Sequence, residues 1–355
     1  MLIRVLLIGS PNILSLIKHH HALAEGAPLG IALRAIKLLA ALATCLAVTS
    51  SPVYAQSSYP DKPIKLIVGY PPGGSADFVT RVTAEEISKE LGVAVLVDNR
   101  PGAGGSIAAE AVSKLPADGY TFAVLGPNAL IKALFPKLGF DPDKELVPIS
   151  NLAVGSMIIC VNPKTPFKTL KELIDFAKSH PQQLFSAASG NGSTPHLAAA
   201  LFESSAGVKF TTIQFKGGGQ AAQSTMAGDT QVMFATPPTV MGFIKAGMLR
   251  PLAVTTAKAS PSIAGIGGAA ESGLAGYDTN FSFGLYAPRG TPNEVLKKVF
   301  DAVTKGLQHN GIKERFAFQG MDVNTSKSME AFDAELKADA PNVYRAVKES
   351  GAKVE

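Results

Sequence analysis

The groups in this chain that could do chemistry gather in five glycine- or proline-rich turns, and what they offer is hydrogen-bond donors. Pro71-Pro72-Gly73-Gly74-Ser75-Ala76-Asp77 joins the end of a β-rich run to the start of a helical one. Glycines there let the backbone approach a ligand, and the first-turn N–H groups of a helix are unpaired and lie at its positive end. Ser75 adds a hydroxyl, while Asp77 reads better as a cap on its own helix than as an anion contact. Ser189-Gly190-Asn191-Gly192-Ser193-Thr194-Pro195-His196 repeats the design, with Pro195 suited to a first helical turn. His196 either touches a ligand or sits on the helix, and the sequence leaves both open. Lys216-Gly217-Gly218-Gly219-Gln220 is the third turn, its lysine either a ligand contact or a surface charge. Gly126-Pro127-Asn128-Ala129 and Ala235-Thr236-Pro237-Pro238 are the fourth and fifth. Together they predict a site for a small anion.

Enzyme motifs are missing. No Gly-x-x-x-x-Gly-Lys-Ser/Thr occurs, and Lys216 precedes its glycines. Gly102-x-Gly104 has Ile107 where a dinucleotide fingerprint needs its third glycine, and it follows the second strand instead of the first. Beyond residue 55 there is no Gly-x-Ser-x-Gly elbow, and His180, His196 and His309 stand apart from one another. No catalytic residue, metal or cofactor is expected.

The turns need strands and helices to hold them. β-rich runs at 64–70, 93–97 and 121–125 alternate with helical spacing at 78–91 and 107–114, and this order predicts a parallel sheet with helices on its faces. The alternation resumes with helices at 170–179, 196–205 and 218–227 and strands at 184–187, 210–214 and 232–235. Two helices, 292–308 and 329–350, end the chain. Long extended stretches at 147–161 and 281–287 are read as crossings between two lobes, 59–157 plus 284–355 and 158–283. The fold class expected is α/β, a two-lobed binding protein with a cleft at the strand C-terminal ends.

The N-terminus reads as an address. Arg34 and Lys37 precede an apolar run at 38–48, and Val53-Tyr54-Ala55 places small residues before Gln56, so secretory cleavage is expected after Ala55. The run is shorter than the ~20 residues that span a bilayer. Cys45 offers a lipoprotein alternative, with a threonine before it that fits poorly, and residues 1–32 are read as an early-annotated start. The whole chain of 355 residues carries a formal charge of +5 and two cysteines. Without 1–55, 29 Lys and Arg remain against 27 Asp and Glu, and Cys160 is alone, read as a buried strand residue. A net +2 with no basic cluster argues against a nucleic-acid partner.

Several of these residues carry a resemblance. Tyr59-Pro60-x-x-Pro63-Ile64, Pro71-Pro72-Gly73-Gly74-x-x-Asp77, Asn99-Arg100-Pro101-Gly102-Ala103-Gly104-Gly105 and Asp118-Gly119-Tyr120-Thr121 appear in order. They are followed by Ser189-Gly190-Asn191-Gly192, Lys216-Gly217, Leu252-Ala253-Val254-Thr255 and Phe283-Gly284-Leu285-x-Ala287-Pro288-x-Gly290-Thr291-Pro292. Over 59–355 the chain resembles the Bug/TctC family, the periplasmic solute receptors of tripartite tricarboxylate transporters. The resemblance implies a periplasmic, monomeric receptor whose cleft holds a carboxylate through backbone N–H groups and bridging waters, and which docks transiently on membrane permease subunits. It places Gly74, Ser75 and Ala76, beside Gly73 and Asp77, near one carboxylate. Ser189, Gly190, Ser193, Thr194 and His196 fall across the cleft, with Asn128, Lys216, Gly217, Ala235 and Thr236 completing the expected site. The chain departs from the family pattern at Ala235-Thr236, where Asp-Asn is frequent, and at Phe215, where Tyr is common. Loss of an acid and a phenol predicts a more apolar pocket and an aromatic or aliphatic carboxylate in preference to an amino acid. A sensor component signalling to a membrane kinase and an exported enzyme acting on small acids are the alternative expectations.

Overall fold

The computed structural model describes residues 59–350 apart from 133 and 135–138. The expected signal segment, the early start and Cys45 lie outside the described residues. In order, the elements are β1 (Ile64–Val68), α1 (Ser75–Leu91), β2 (Val95–Asn99), α2 (Ser106–Ser113), β3 (Thr121–Leu125), α3 (Pro142–Glu145), β4 (Leu146–Gly155), β5 (Ile158–Val161) and α4 (Leu170–Ser179). There follow β6 (Phe185–Ala188), α5 (Thr194–Ala206), β7 (Thr211–Gln214), α6 (Gly218–Ala227), β8 (Val232–Ala235), α7 (Pro237–Lys245) and β9 (Arg250–Val254). β10 (Phe281–Pro288), α8 (Asn293–Gly306), α9 (Ile312–Phe318), β11 (Asp322–Val323) and α10 (Met329–Ser350) complete the chain.

These strands form two sheets, one ordered β11-β4-β10-β3-β1-β2 and the other β7-β6-β8-β5-β9. In the first, Ile64, Leu66, Ile67 and Val68 of β1 are fully buried, as a strand covered on both faces requires. One face packs Leu66, Val68 and Phe122 against Val79, Val82 and Ile87 of α1 and Leu296, Val299 and Val303 of α8. Burying each of those side chains stabilises the fold by about 1.5–3 kcal/mol. The other face packs Ile67, Ala123 and Leu125 against Ala108, Ala109 and Val112 of α2 and Phe332 of α10. The second sheet sets Ile158, Cys160, Met233 and Ala235 against Ala221 and Ala222 of α6 and Val240 of α7. Burial pushes the Cys160 thiol well above its ordinary range, so it behaves as an apolar filler.

The expected parallel sheet is corrected to two mixed ones. β1 runs parallel to β2 and β3, and β6 to β7 and β8. β10 is antiparallel to β3 and β4, and β5 to β8 and β9. The reversed strands are those next to the crossings, which carry the chain between sheets without an intervening helix and so escape the βαβ rule. The chain crosses at Ser156-Met157 and returns between Val254 and Phe281. The two passages are tied together: the Met157 N–H donates to Thr255 Oγ1 at 3.0 Å, the Thr255 N–H donates to Met157 O at 2.9 Å, and Thr255 Oγ1 donates to Thr279 O at 2.8 Å. α10 does not stay with the first sheet along its whole length, since Val343 and Val347 pack with Leu197 of α5.

Candidate ligand-binding cleft

A cavity of about 460 Å³ lies between the two sheets, walled by the turns that follow β1, β6, β7 and β8 and by the start of β10. Four helices, α1, α5, α6 and α7, therefore begin at its wall, each directing a positive end toward it.

Their donors are not equal. At α1 the N-cap is Gly74, whose lack of a side chain leaves the Ser75, Ala76 and Asp77 N–H groups with no acceptor among the described residues. At α6 the N-cap is Gly217, and the Gly218, Gly219 and Gln220 N–H groups are equally unpaired among the described residues. At α5 the Ser193 hydroxyl accepts from the His196 N–H at 3.4 Å and Pro195 has no N–H, which leaves Thr194. At α7, Pro237 and Pro238 carry none and the Thr239 N–H is bound to Thr236 O at 3.0 Å. The cavity wall thus carries unpaired backbone donors from both sheets, those of Ser75 and Ala76 on one side and those of Gly218, Gly219 and Gln220 on the other. The Ser75 hydroxyl adds a second kind of donor: it is buried, it has no hydrogen-bond partner among the described residues, and its residue lines the cavity. An unpaired buried hydroxyl costs about 1–3 kcal/mol, a cost that a bound acceptor removes.

Of the residues singled out from sequence, Gly73, Gly74, Ser75 and Ala76 line one side of the cavity. Ser189, Ser193, Thr194, Lys216, Gly217, Ala235 and Thr236 line the other. Lys216 is exposed and makes no ion pair among the described residues, and no acid lines the cavity. The remaining four stand outside the wall and act on it. Asp77 is buried and accepts from the Gly73 N–H at 3.0 Å, Asn99 Nδ2 at 3.0 Å and Arg81 Nε at 2.9 Å, pinning the loop that carries the donors. Burial pushes its carboxyl up, and these hydrogen bonds together with the Arg81 charge outweigh burial and hold it below its usual range. Gly190 O accepts from the Ser193 N–H at 3.1 Å, closing the turn. His196 Nδ1 accepts from the Gly192 N–H at 3.2 Å, so its proton sits on Nε2, and burial with the nearby Lys209 charge lowers its pKa. Asn128 is buried, and its amide reaches across to Gly192 O at 2.8 Å.

Sequence reasoning passed over the aromatic part of the wall: Tyr70, Phe234, Phe243, Phe281 and Phe283. Tyr70 and Phe283 meet edge to face at 5.7 Å, and Phe281 and Phe283 are neighbours at 5.6 Å. A signal existed, since Phe281 and Phe283 are two apart on an extended segment and must share a face. Among the described residues no helix is long and apolar enough to cross a membrane, and no cluster of His, Cys, Asp or Glu could hold a metal.

Two α/β halves meeting around a donor-lined cavity define a solute-binding protein of the periplasmic type. The chain belongs to the TctC family, the tripartite tricarboxylate transporter family receptors, whose profile matches residues 79–345. It is 32% identical over 289 residues to protein BugT of Bordetella pertussis, covering 80% of this chain and 88% of that one. Among solved structures it is similar to R. palustris Rpa4515 with adipate, at 30% identity and a TM-score of 0.79, covering 83% of this chain and 100% of that one. MatC from Rhodopseudomonas palustris with bound malate matches at 26% identity and a TM-score of 0.75, covering 81% and 100%. The members of the family are receptors and not enzymes.

Proposed function

We propose that the mature chain, beginning near Gln56, is a monomeric periplasmic receptor that captures a small carboxylate and delivers it to the membrane subunits of a tripartite permease. The observation that carries the carboxylate is the pair of unpaired N–H sets at α1 and α6, with the Ser75 hydroxyl beside one of them and no acid in the wall. Charge-assisted hydrogen bonds to an anion are about twice as strong as neutral ones, so this lining favours a carboxylate over its neutral analogue. The adipate and malate of the two R. palustris relatives support the same class. The aromatic wall and the absence of an acid to meet an ammonium favour an aliphatic or aromatic body without an amino group. The half built on β1–β4, β10 and β11 and the half built on β5–β9 are the two bodies that approach one another on binding.

Native mass spectrometry of the purified protein, followed by thermal unfolding with a panel of mono-, di- and tricarboxylates, tests this reading. A ligand at about 100 times its dissociation constant adds about 2.7 kcal/mol of stability. A panel in which no carboxylate raises the unfolding temperature overturns the proposal. An α-amino acid as the tightest ligand overturns its finer part.

A further inference from the structure

Asn128 lies in the turn Pro127–Leu130 that follows β3 and is nearly solvent-free, yet it does not line the cavity. Its Nδ2 donates to Gly104 O at 3.1 Å and to Gly192 O at 2.8 Å, and its Oδ1 accepts from Thr194 Oγ1 at 3.1 Å and from Tyr70 Oη at 3.5 Å. Two carbonyls on one side and two hydroxyls on the other fix the orientation of the amide without ambiguity. Gly104 and Tyr70 belong to the half built on β1–β3, and Gly192 and Thr194 belong to the β6–α5 turn of the other sheet. The contact is tight. Gly104 has φ 59°, and a Cβ there would lie 2.9 Å from Gly192 O and 3.2 Å from Asn128 Nδ2. The Gly192 peptide is held at both ends, its N–H by His196 and its carbonyl by Asn128. Thr194 spends its only hydroxyl proton on Asn128, so toward the cavity it offers a backbone N–H, not a side-chain donor.

From this geometry we infer that Asn128 is a positioning residue for solute binding, fixing the β6–α5 turn against the opposite half without touching the solute. The inference rests on the receptor reading above, and its test is chosen to survive failure of that reading. Hydrogen exchange on the ligand-free protein compares wild type with Asn128→Ala and with Thr194→Val, which keeps the shape of threonine. Both variants should lose protection over 190–194 while β1 keeps its own. Unchanged protection over 190–194 in either folded variant overturns the proposal. Should Asn128→Ala fail to fold, Thr194→Val alone gives the same decision.

Titration with adipate supplies the second readout. A turn set loose in the ligand-free protein must be ordered again when solute binds, which weakens binding by about tenfold. A role acting through Asn128 makes Thr194→Val harmless in the Asn128→Ala background; additive losses place the Thr194 hydroxyl on the solute and overturn the inference. If wild type binds neither adipate nor any other carboxylate, the receptor reading falls and the exchange experiment still decides the role of Asn128.

Discussion

Replacing Ser75 by alanine should move affinity and stability in opposite directions. Its hydroxyl is buried without a partner among the described residues, at the first position of α1, and the residue belongs to the cavity wall. In the ligand-free protein that oxygen forfeits hydration at a cost of about 1–3 kcal/mol, and alanine removes the cost along with little volume. Stability should therefore hold or rise by about 1 kcal/mol, seen as up to about 2 °C in the unfolding temperature. With a carboxylate bound, the same hydroxyl makes a hydrogen bond to a charged acceptor worth about 1.5–3 kcal/mol, so the variant should bind about ten- to a hundredfold more weakly. Calorimetric titration gives one number and a thermal melt without ligand gives the other. A residue that merely packs would show the reverse pattern, lower stability with affinity intact. That result would refute the assignment of Ser75 to the solute.

Asp77→Asn should loosen the Gly73–Ala76 loop, costing about 1–3 kcal/mol in urea unfolding and weakening binding alongside, because it removes the charge that three donors share; an unchanged midpoint would contradict the pinning role. His196 sets an acid limit. Its folded pKa is lowered, so the unfolded chain takes up its proton first, and stability should be level above about pH 6.5 and fall below it. Urea midpoints at about pH 7.5 and about pH 5.5 should differ in wild type and converge in His196→Gln; equal shifts in both proteins would place the effect elsewhere. Ala235→Asp puts a carboxylate into the wall. At ~6 Å from a bound anion and an effective dielectric of ~20 the repulsion is about 3 kcal/mol, or roughly a hundredfold in adipate affinity, and titration that finds no loss would separate Ala235 from the anion.

Much of this arrangement was legible because it is local. The helices expected over 170–179, 218–227 and 329–350 coincide with α4, α6 and α10, and the strands over 121–125 and 232–235 with β3 and β8, since each is bounded by its own turn chemistry. α7 was passed over because Pro237-Pro238 reads as a turn, although proline at a first helical position is well tolerated and Val240, Phe243 and Ile244 follow at helical spacing. β9, with Pro251 inside it, shows no alternation to mark it as a strand. The sense of β5 and β10 is set by which sheet receives the chain after a crossing, which no local pattern encodes. Asn128 shows the same limit at the site. Its turn pointed to a ligand, but its amide faces a carbonyl 64 residues away that only the fold brings to it.

Counting helix starts alone would spread the anion over four equivalent positions. The donor inventory breaks that symmetry. Ser193 and Pro195 consume or remove all but one first-turn donor of α5, and at α7 Pro237 and Pro238 carry no N–H while that of Thr239 is bound, so the first three positions of its positive end offer no free donor among the described residues. Such an end can polarise the cavity without gripping a solute, and its prolines and threonines present a smooth wall beside Phe234 and Phe243. Glycine N-caps at α1 and α6 do the opposite, leaving three donors each unpaired among the described residues. One such end lies on each side of the cleft, so an anion that satisfies both can do so only with the halves together. In the receptor proposed above, selectivity for charge and preference for the closed state would then arise from the same N–H groups at these two helix starts.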